Sequence, residues 1–321
     1  MIQIGFDLGG TNLRAAAFDD GDAPRELHRE PVGDDRSPAA IVERVATVAE
    51  RLAGDQKKVA VGVGLAAMMR DKKGTVANSP HLRWRDVPFG DLLAARLGKR
   101  FKLGVYNDVN AITWGEHVAG AARGAKDVLA VIVGTGIGGG VIADGRLIDG
   151  ASYTAGEIGH VKVRWDDDAA PCACGSRGCV EAYLGGGYLQ RRIARELDGK
   201  RHSLAVQLAG SADAVLPSHV DQAAAAGDDW ALGLWTELAP LLAVALGNAI
   251  AILNPERLVL GGGVLAHAPT LVELVETTLT VVAPMPSLEP LHVVCAELGD
   301  DAGLVGAARL AAGEAAKASA R

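Results

Sequence analysis

Cysteine is scarce, with 4 in 321 residues, and basic residues are outnumbered, with 32 Lys and Arg against 39 Asp and Glu for a formal charge of -7. So few thiols exclude a disulfide-stapled scaffold, and the acidic balance without any long basic run excludes the electrostatic footprint of a nucleic-acid binder. No charged n-region and apolar h-region open the chain, since MIQIGFDLGG begins directly with a strand pattern. A secretory signal is therefore not expected, and a reducing cytoplasmic setting is. The most apolar stretch, Leu238 to Leu253, is shorter than a bilayer requires and carries Pro240 and Asn248, so it predicts a buried helix rather than a membrane span. No low-complexity linker is present, and no Gly-Lys-Ser/Thr follows any glycine loop, which excludes a Walker A motif.

What is present alternates between strand and helix patterns over a length that predicts about two domains. Ile2 to Leu8 and Leu13 to Phe18 read as strands joined by a GGTN turn. A helix follows at Ser37 to Leu52, with Ser at the cap and Pro in the first turn. Then come a strand at Val59 to Leu65, a helix at Asp86 to Leu97, a strand at Lys102 to Tyr106 and a helix at Asp108 to Val118. The pattern restarts with a strand at Val128 to Val133, the turn GTGIGGG and a return strand at Val141 to Ala143. Helices at Asp228 to Leu253 and Ala268 to Leu279, a strand at Arg257 to Leu260 and a final helix from about Asp301 to the end complete the reading. Two similar units predict a duplicated α/β architecture with a central cleft, divided as 1–115 and 116–300.

Two sets of residues carry chemistry. His160 stands about a dozen residues before Cys172, Cys174 and Cys179, and one imidazole nitrogen with three thiolates is a closed tetrahedral zinc set of the structural kind. Cys295, in the apolar run LHVVCAEL, is expected in the core, and Asp166, Asp167 and Asp168 are expected in a solvated loop rather than a calcium site. The second set is three glycine-rich turns, at Asp7 to Thr11, Gly134 to Gly139 and Gly261 to Gly263. Backbone amides without a neighbouring Cβ can approach phosphate closely, so together the turns predict a nucleotide site. A dinucleotide fingerprint is disfavoured because a strand, not a helix, is expected after GTGIGGG.

DLGGTNLR at Asp7 to Arg14, ND at Asn107 and Asp108, GTGIGGG, EIGH at Glu157 to His160, CACGSRGCVE at Cys172 to Glu181 and NPERLVLGGG at Asn254 to Gly263 resemble, in order, the ROK family of sugar kinases and repressors. GDDAGLVGAA at Gly299 to Ala308 is similar to that family's closing segment. The resemblance implies a two-lobed actin-like ATPase fold, a last helix (about 301–321) that returns to the N-terminal lobe, and a homodimer. It implies ATP-dependent phosphorylation of a hexose, with ATP, Mg and Zn as cofactors and Asp108 as general base. It assigns the sugar to Asn78, Asn107, Asp108, Glu157, His160 and Glu181, the metal to His160 and the three cysteines, and the nucleotide to Asp7, Gly9, Gly10, Thr11, Gly134, Thr135, Gly136, Gly261, Gly262 and Gly263. The N-terminal helix-turn-helix of the repressor branch is not expected, because the first strand begins at once.

This chain departs from the family pattern after its third strand. Leu65-Ala-Ala-Met-Met-Arg70 replaces a loop rich in proline and glycine that lies against the sugar in relatives, and His81 stands where Asn is frequent. Glucose is the first expectation as acceptor, and mannose, fructose or an N-acetylhexosamine stay open, as do a polyphosphate donor and a non-catalytic sugar sensor.

Overall fold

The computed structural model describes residues 1–19, 21, 23–198 and 203–319. The chain opens with the antiparallel hairpin β1 (Ile2–Leu8) and β2 (Asn12–Phe18), extended by β3 (Glu26–Pro31). Helix α1 (Pro38–Ala53) starts where the Ser37 hydroxyl accepts the Ala40 N–H, and it buries Ile41, Val45, Ala49 and Leu52 along one stripe. β4 (Val59–Leu65), all of it buried, pairs in parallel with β1. β5 (Met68–Met69), β6 (Val76–Ser79) and β7 (Trp84–Val87) form a separate three-stranded sheet. α2 (Phe89–Leu97), β8 (Phe101–Asn107) and α3 (Asp108–Ala119) follow. The helix expected from Asp86 starts at Phe89, because Asp86 has a φ of 54° that no α-helix accepts and its neighbours pair as β7.

β9 (Val128–Val133), β10 (Ile137–Ala143) and β11 (Arg146–Leu147) come next, then a long loop to α4 (Glu181–Leu184) and α5 (Gly186–Leu197). β10 starts earlier than the expected Val141. Glycines taken as turn residues are strand residues there, for a Cβ on Gly140 would lie 2.0 Å from the Thr113 hydroxyl. α6 (Leu204–Ala209), α7 (Pro217–Ala225) and α8 (Asp229–Leu253) precede β12 (Arg257–Gly261), α9 (Gly262–Leu265), α10 (Pro269–Val282), α11 (Met285–Leu288), β13 (His292–Cys295) and α12 (Ala302–Ser319). Residues 320–321, which the expected final helix includes, lie outside the described residues.

Two compact units result: Met1–Ala125 with Gly140–Ala155 and Glu297–Arg321, and Lys126–Gly139 with Gly156–Ala296. The sequence reading divides the chain near 115, but α3 runs unbroken through that position, and the chain first changes unit in the link between α3 and β9. The two five-stranded sheets repeat one order, β3-β2-β1-β4-β8 and β11-β10-β9-β12-β13. In each, parallel strands follow an antiparallel hairpin.

The first unit is closed by its last element. α12 packs on α3, β1 and β4 at backbone distance, because glycines remove the side chains between them. A Cβ on Gly5 would lie 1.9 Å from the Leu304 carbonyl oxygen, one on Gly62 1.8 Å from that of Ala307, and one on Gly115 2.1 Å from that of Ala302. At the same interface Glu116, fully buried, accepts N–H bonds from Ala121, Glu297 and Leu298.

In the second unit α8 is 25 residues long, longer than the apolar run that marks it, and its length and composition alone would suffice to cross a membrane. It packs instead against α7 and α10, running through Pro240 and burying Trp235, Leu238, Leu242 and Leu246. Its end departs from the expected buried helix: Ile252 is 82% exposed. Buried Asp221 on α7 ties this layer together, accepting from the Trp235 indole, the Leu271 N–H, and the Thr270 N–H and hydroxyl. Cys295 is exposed rather than in the core, because β13 is the edge strand of its sheet.

Candidate active site and metal centre

Asp108 is the first residue of α3, and the helix is capped by its predecessor. The Asn107 side-chain oxygen accepts the Asn110 N–H at 3.0 Å, while its amide nitrogen donates to the Ala67 carbonyl at 3.1 Å. Asn107, expected to meet a sugar hydroxyl, thus first fixes the helix start and the loop after β4, leaving one N–H and one lone pair of its amide for other use. Asp108 is spared the capping role. Its Oδ1 accepts the adjacent Val109 N–H at 3.0 Å, and the helix N-terminus favours its ionised form.

At the β1–β2 hairpin, Asp7 lies directly across from Arg14 in register, and Arg14 holds Asp7 Oδ2 from Nε at 3.1 Å and from a second nitrogen. Arg14 also reaches Asp300 at 3.2 Å. The Gly9 N–H is donated to the Asn12 carbonyl, so this amide, expected at a phosphate, closes its own turn. Gly10 is required by packing, since a Cβ there would sit 2.9 Å from that of His81. The divergent loop is ordered: Met68 pairs with Asn78 across β5–β6, the Ser79 hydroxyl donates to the Ala66 carbonyl at 2.9 Å, and Ala67 and Met69 are buried.

In the second unit, the turn Gly134 to Gly136 is held from below by residues that sequence reading missed. The amides of Gly186 and Gly187 donate to the carbonyls of Gly134 and Thr135 at 2.8 and 2.9 Å, and the Gly134 N–H is donated to Gly136. Glu181 Oε2 accepts the Ile137 N–H at 2.8 Å, and a Cβ on Gly136 would approach that carboxylate within 2.5 Å. At the third glycine turn only Gly263 faces open space. Gly262 has a φ of 87° and would otherwise meet the Val133 backbone at 2.5 Å.

The ligand atoms of His160, Cys172, Cys174 and Cys179 lie within 4.8 Å of one another. Cys174 and Cys179 sulfurs are 3.7 Å apart and Cys172 sulfur is 3.8 Å from His160 Nδ1. A tetrahedron with Zn–S bonds of about 2.3 Å has S–S edges of about 3.8 Å, so the four atoms fit zinc. Burial pushes the Cys172 thiol up to about 12, a proton that only a bound cation would displace at neutral pH. Gly178 makes the knuckle: at a φ of 75°, a Cβ would lie 1.7 Å from the Arg164 carbonyl oxygen. Lys162, which sequence reading passed over, places Nζ 2.8 Å from Cys179 Sγ and 2.7 Å from the Ser176 hydroxyl, offsetting thiolate charge.

With Nδ1 turned to the sulfurs, His160 presents Nε2 to Glu157 at 3.9 Å. Burial raises the Glu157 pKa above the ordinary carboxylate range; His160 opposes that shift and neighbouring Glu181 adds to it. Glu181 Oε1 also lies 3.9 Å from Cys172 sulfur, so one carboxylate links the metal-ligand loop to the glycine turn. Asp166 to Asp168 are exposed, Asp166 pairing with Arg164 at 2.7 Å.

These motifs lie in one chain in the order of a known family, whose model, described as ROK family, matches residues 3–314. The chain belongs to the ROK family. Its relatives in that family include a glucokinase of Thermotoga maritima, 35% identical over 312 residues with 96% of each chain covered. An N-acetylmannosamine kinase of Citrobacter koseri is 32% identical, covering 98% of this chain and all of that one. Among solved structures, the ROK family glucokinase from Streptomyces griseus in complex with glucose and AMPPNP matches with a TM-score of 0.79 and 31% identity, over 98% of this chain and 100% of that one. The fold is accordingly the mixed α/β, actin-like ATPase fold of ROK sugar kinases.

Proposed function

We propose that this chain is an ATP-dependent hexose kinase that transfers the γ-phosphoryl group of ATP to a hydroxyl of glucose. The observation that carries the reading is Asp108, held at the first position of α3 and relieved of capping by Asn107, in a chain similar over nearly its whole length to a glucokinase bound to glucose and an ATP analogue. In the reaction the sugar oxygen attacks the γ-phosphorus, its proton passes to the Asp108 carboxylate, and the bond to the ADP oxygen breaks.

We assign Asn78, Asn107, Asp108, Glu157, His160 and Glu181 to the hydroxyls of the acceptor. The amides of Gly10, Thr135 and Gly136 and the Thr11 hydroxyl are assigned to phosphates, Gly263 to the nucleoside, and Gly9, Gly134, Gly261 and Gly262 to the shape of the turns. Asp7, oriented by Arg14, is assigned to the hydration shell of Mg, which neutralises phosphate charge when bound. His160, Cys172, Cys174 and Cys179 would hold zinc, which would supply rigidity, so that His160 Nε2 and the neighbouring Glu157 would keep their places. A reducing cytoplasm suits those thiols, and we assign the enzyme to it.

A second acceptor class has its own support. Ala67, Met68 and Met69 alter the loop after β4, and a relative named N-acetylmannosamine kinase is 32% identical. ADP release measured over glucose, mannose, fructose, N-acetylglucosamine and N-acetylmannosamine tests both. Turnover highest with glucose supports the first reading and highest with an N-acetylhexosamine the second. Sugar binding with no turnover from ATP or polyphosphate would replace the kinase by a sensor.

A further inference from the structure

The turn Gly134 to Gly139 brings backbone amides and one hydroxyl to a phosphate but no cation, and Arg14, at the β1–β2 hairpin, is engaged by Asp7 and Asp300. Phosphoryl transfer concentrates negative charge on the donor's oxygens, and a guanidinium suits those oxygens by geometry as well as by charge.

Helix α5 carries a guanidinium to that turn. Its first residues are glycines that let it approach: a Cβ on Gly186 would lie 2.5 Å from the Gly134 carbonyl oxygen and 3.3 Å from Val264 Cγ2, so α5 meets both the second glycine turn and the residue that follows the third. One helical turn further on, Arg191 lies back over Tyr188, its guanidinium carbon 4.7 Å from the ring centroid. A Cβ on Gly187 would stand 3.7 Å from Arg191 Nη1 and 3.7 Å from Thr135 Cγ2. The guanidinium and Thr135 therefore flank one point, a separation that a single phosphate group can bridge with a charge-assisted bond of about 2.7–2.9 Å on each side.

The arginine is aimed by an aromatic ring and not by an acid. The Tyr188 hydroxyl accepts the Ala173 N–H at 2.7 Å, between two of the metal-ligand cysteines, and its ring packs on the cluster of Cys172 and Cys179. Arg191 is exposed, and among the described residues it pairs with no carboxylate, whereas its neighbour Arg192 is held by Glu196 and Glu237. Its N–H donors are thus open to an anionic guest.

On the kinase reading above, we infer that Arg191 is a donor-binding residue whose guanidinium takes oxygens of the β- or γ-phosphate of the nucleotide beside the amides of Thr135 and Gly136. It recognises the charged end of the donor and not its base, and Tyr188 ties its position to the loop that carries the metal ligands.

Calorimetric titration of the full chain with AMPPNP, AMP and glucose tests the assignment. Arg191→Met should weaken AMPPNP binding by ~10-fold or more and AMP binding by less than ~3-fold, with glucose affinity and circular dichroism unchanged. Arg191→Lys should recover part of the loss, and Arg191→Gln repeats the test if the methionine variant fails to fold. Arg195→Met, one turn further along α5 from Thr135, should bind AMPPNP as the wild type does. Unchanged AMPPNP affinity in the Arg191 variants, equal losses for AMP and AMPPNP, or the same loss in Arg195→Met would overturn the assignment while leaving the kinase reading in place. A wild type that binds no AMPPNP would overturn it together with the ATP reading.

Discussion

At the start of α3 the helix cap is Asn107, and the next residue, Asp108, is left with a carboxylate favoured in its ionised form by the aligned peptide dipoles. If that group is the base, Asp108→Asn should lower kcat by ~10²–10⁴-fold with little change in sugar affinity, measured by coupled ADP release and by calorimetry. Near-wild-type turnover would remove the assignment. Cys174→Ser takes one corner from the metal set: zinc content by mass spectrometry should fall, and sugar affinity should weaken with it as the loop carrying His160 loosens. Full zinc with intact affinity would make the loop irrelevant to the sugar. The spacing of the four metal-ligand residues was legible in the sequence because they are close along the chain. Arg14 and Lys162 were not, since only strand register brings Arg14 across from Asp7, and only a loop bridge brings Lys162 beside Cys179. Asn107 was read for its amide, and of the two folding bonds that amide makes the one to Asn110 is local, while the other needs the position of Ala67, forty residues away.

Among the elements, strands buried on both sides, such as β4 and β9, were evident from unbroken apolar runs. β3 was missed because its residues, ELHREP, are charged and half exposed, and β5 to β7 because such short strands carry too few residues to set a period. The glycines of β1 and β4 could be seen, but not the helix they admit. Gly62→Ala should destabilise the first unit by about 1–3 kcal/mol, because its methyl would meet the Ala307 carbonyl. A urea midpoint equal to wild type would show that α12 can shift without loss. In the second unit Arg192 bridges Glu237 at 2.6 Å and Glu196 at 2.7 Å, joining α5 to α8. The hydrogen bond from Arg192 holds the Glu237 carboxyl below its ordinary 4.5 against the opposing effect of burial. A depressed carboxylate stabilises above its unfolded pKa, and the gain is lost as pH falls through the folded value. Arg192→Met should therefore cost stability at pH 7, by less than about 1 kcal/mol since Glu237 is 58% exposed, and cost less in urea melts at pH 3. An equal loss at both pH values would assign the effect to packing.

For the whole molecule, the likeness to the Streptomyces griseus glucokinase covers 98% of the chain, and the repeated strand order of the two sheets agrees with the duplication read from the two glycine turns. The unit boundary was less legible, because Gly140–Ala155, with most of the β10–β11 hairpin, joins the first unit from a distant part of the sequence, whereas the return of the last helix to that unit was expected. At the ends of α8 and α10, Ile252 and Val281 are 82% and 83% exposed, with Val282 packed on Gly247 between the two helices. If the enzyme is a homodimer, as its family resemblance implies, this apolar face suits the contact, and Ile252→Asp should convert the species seen by light scattering to a monomer. A wild-type monomer, or a variant that remains dimeric, would place self-association elsewhere or nowhere. The glycine-lined seat of α12 also imposes an order on biosynthesis. On the ribosome, β1 and β4 emerge before the whole second unit, yet the helix that covers them emerges only after it. The first unit is therefore completed only after the second has been made, and its nascent sheet must wait, one face bare, for α12.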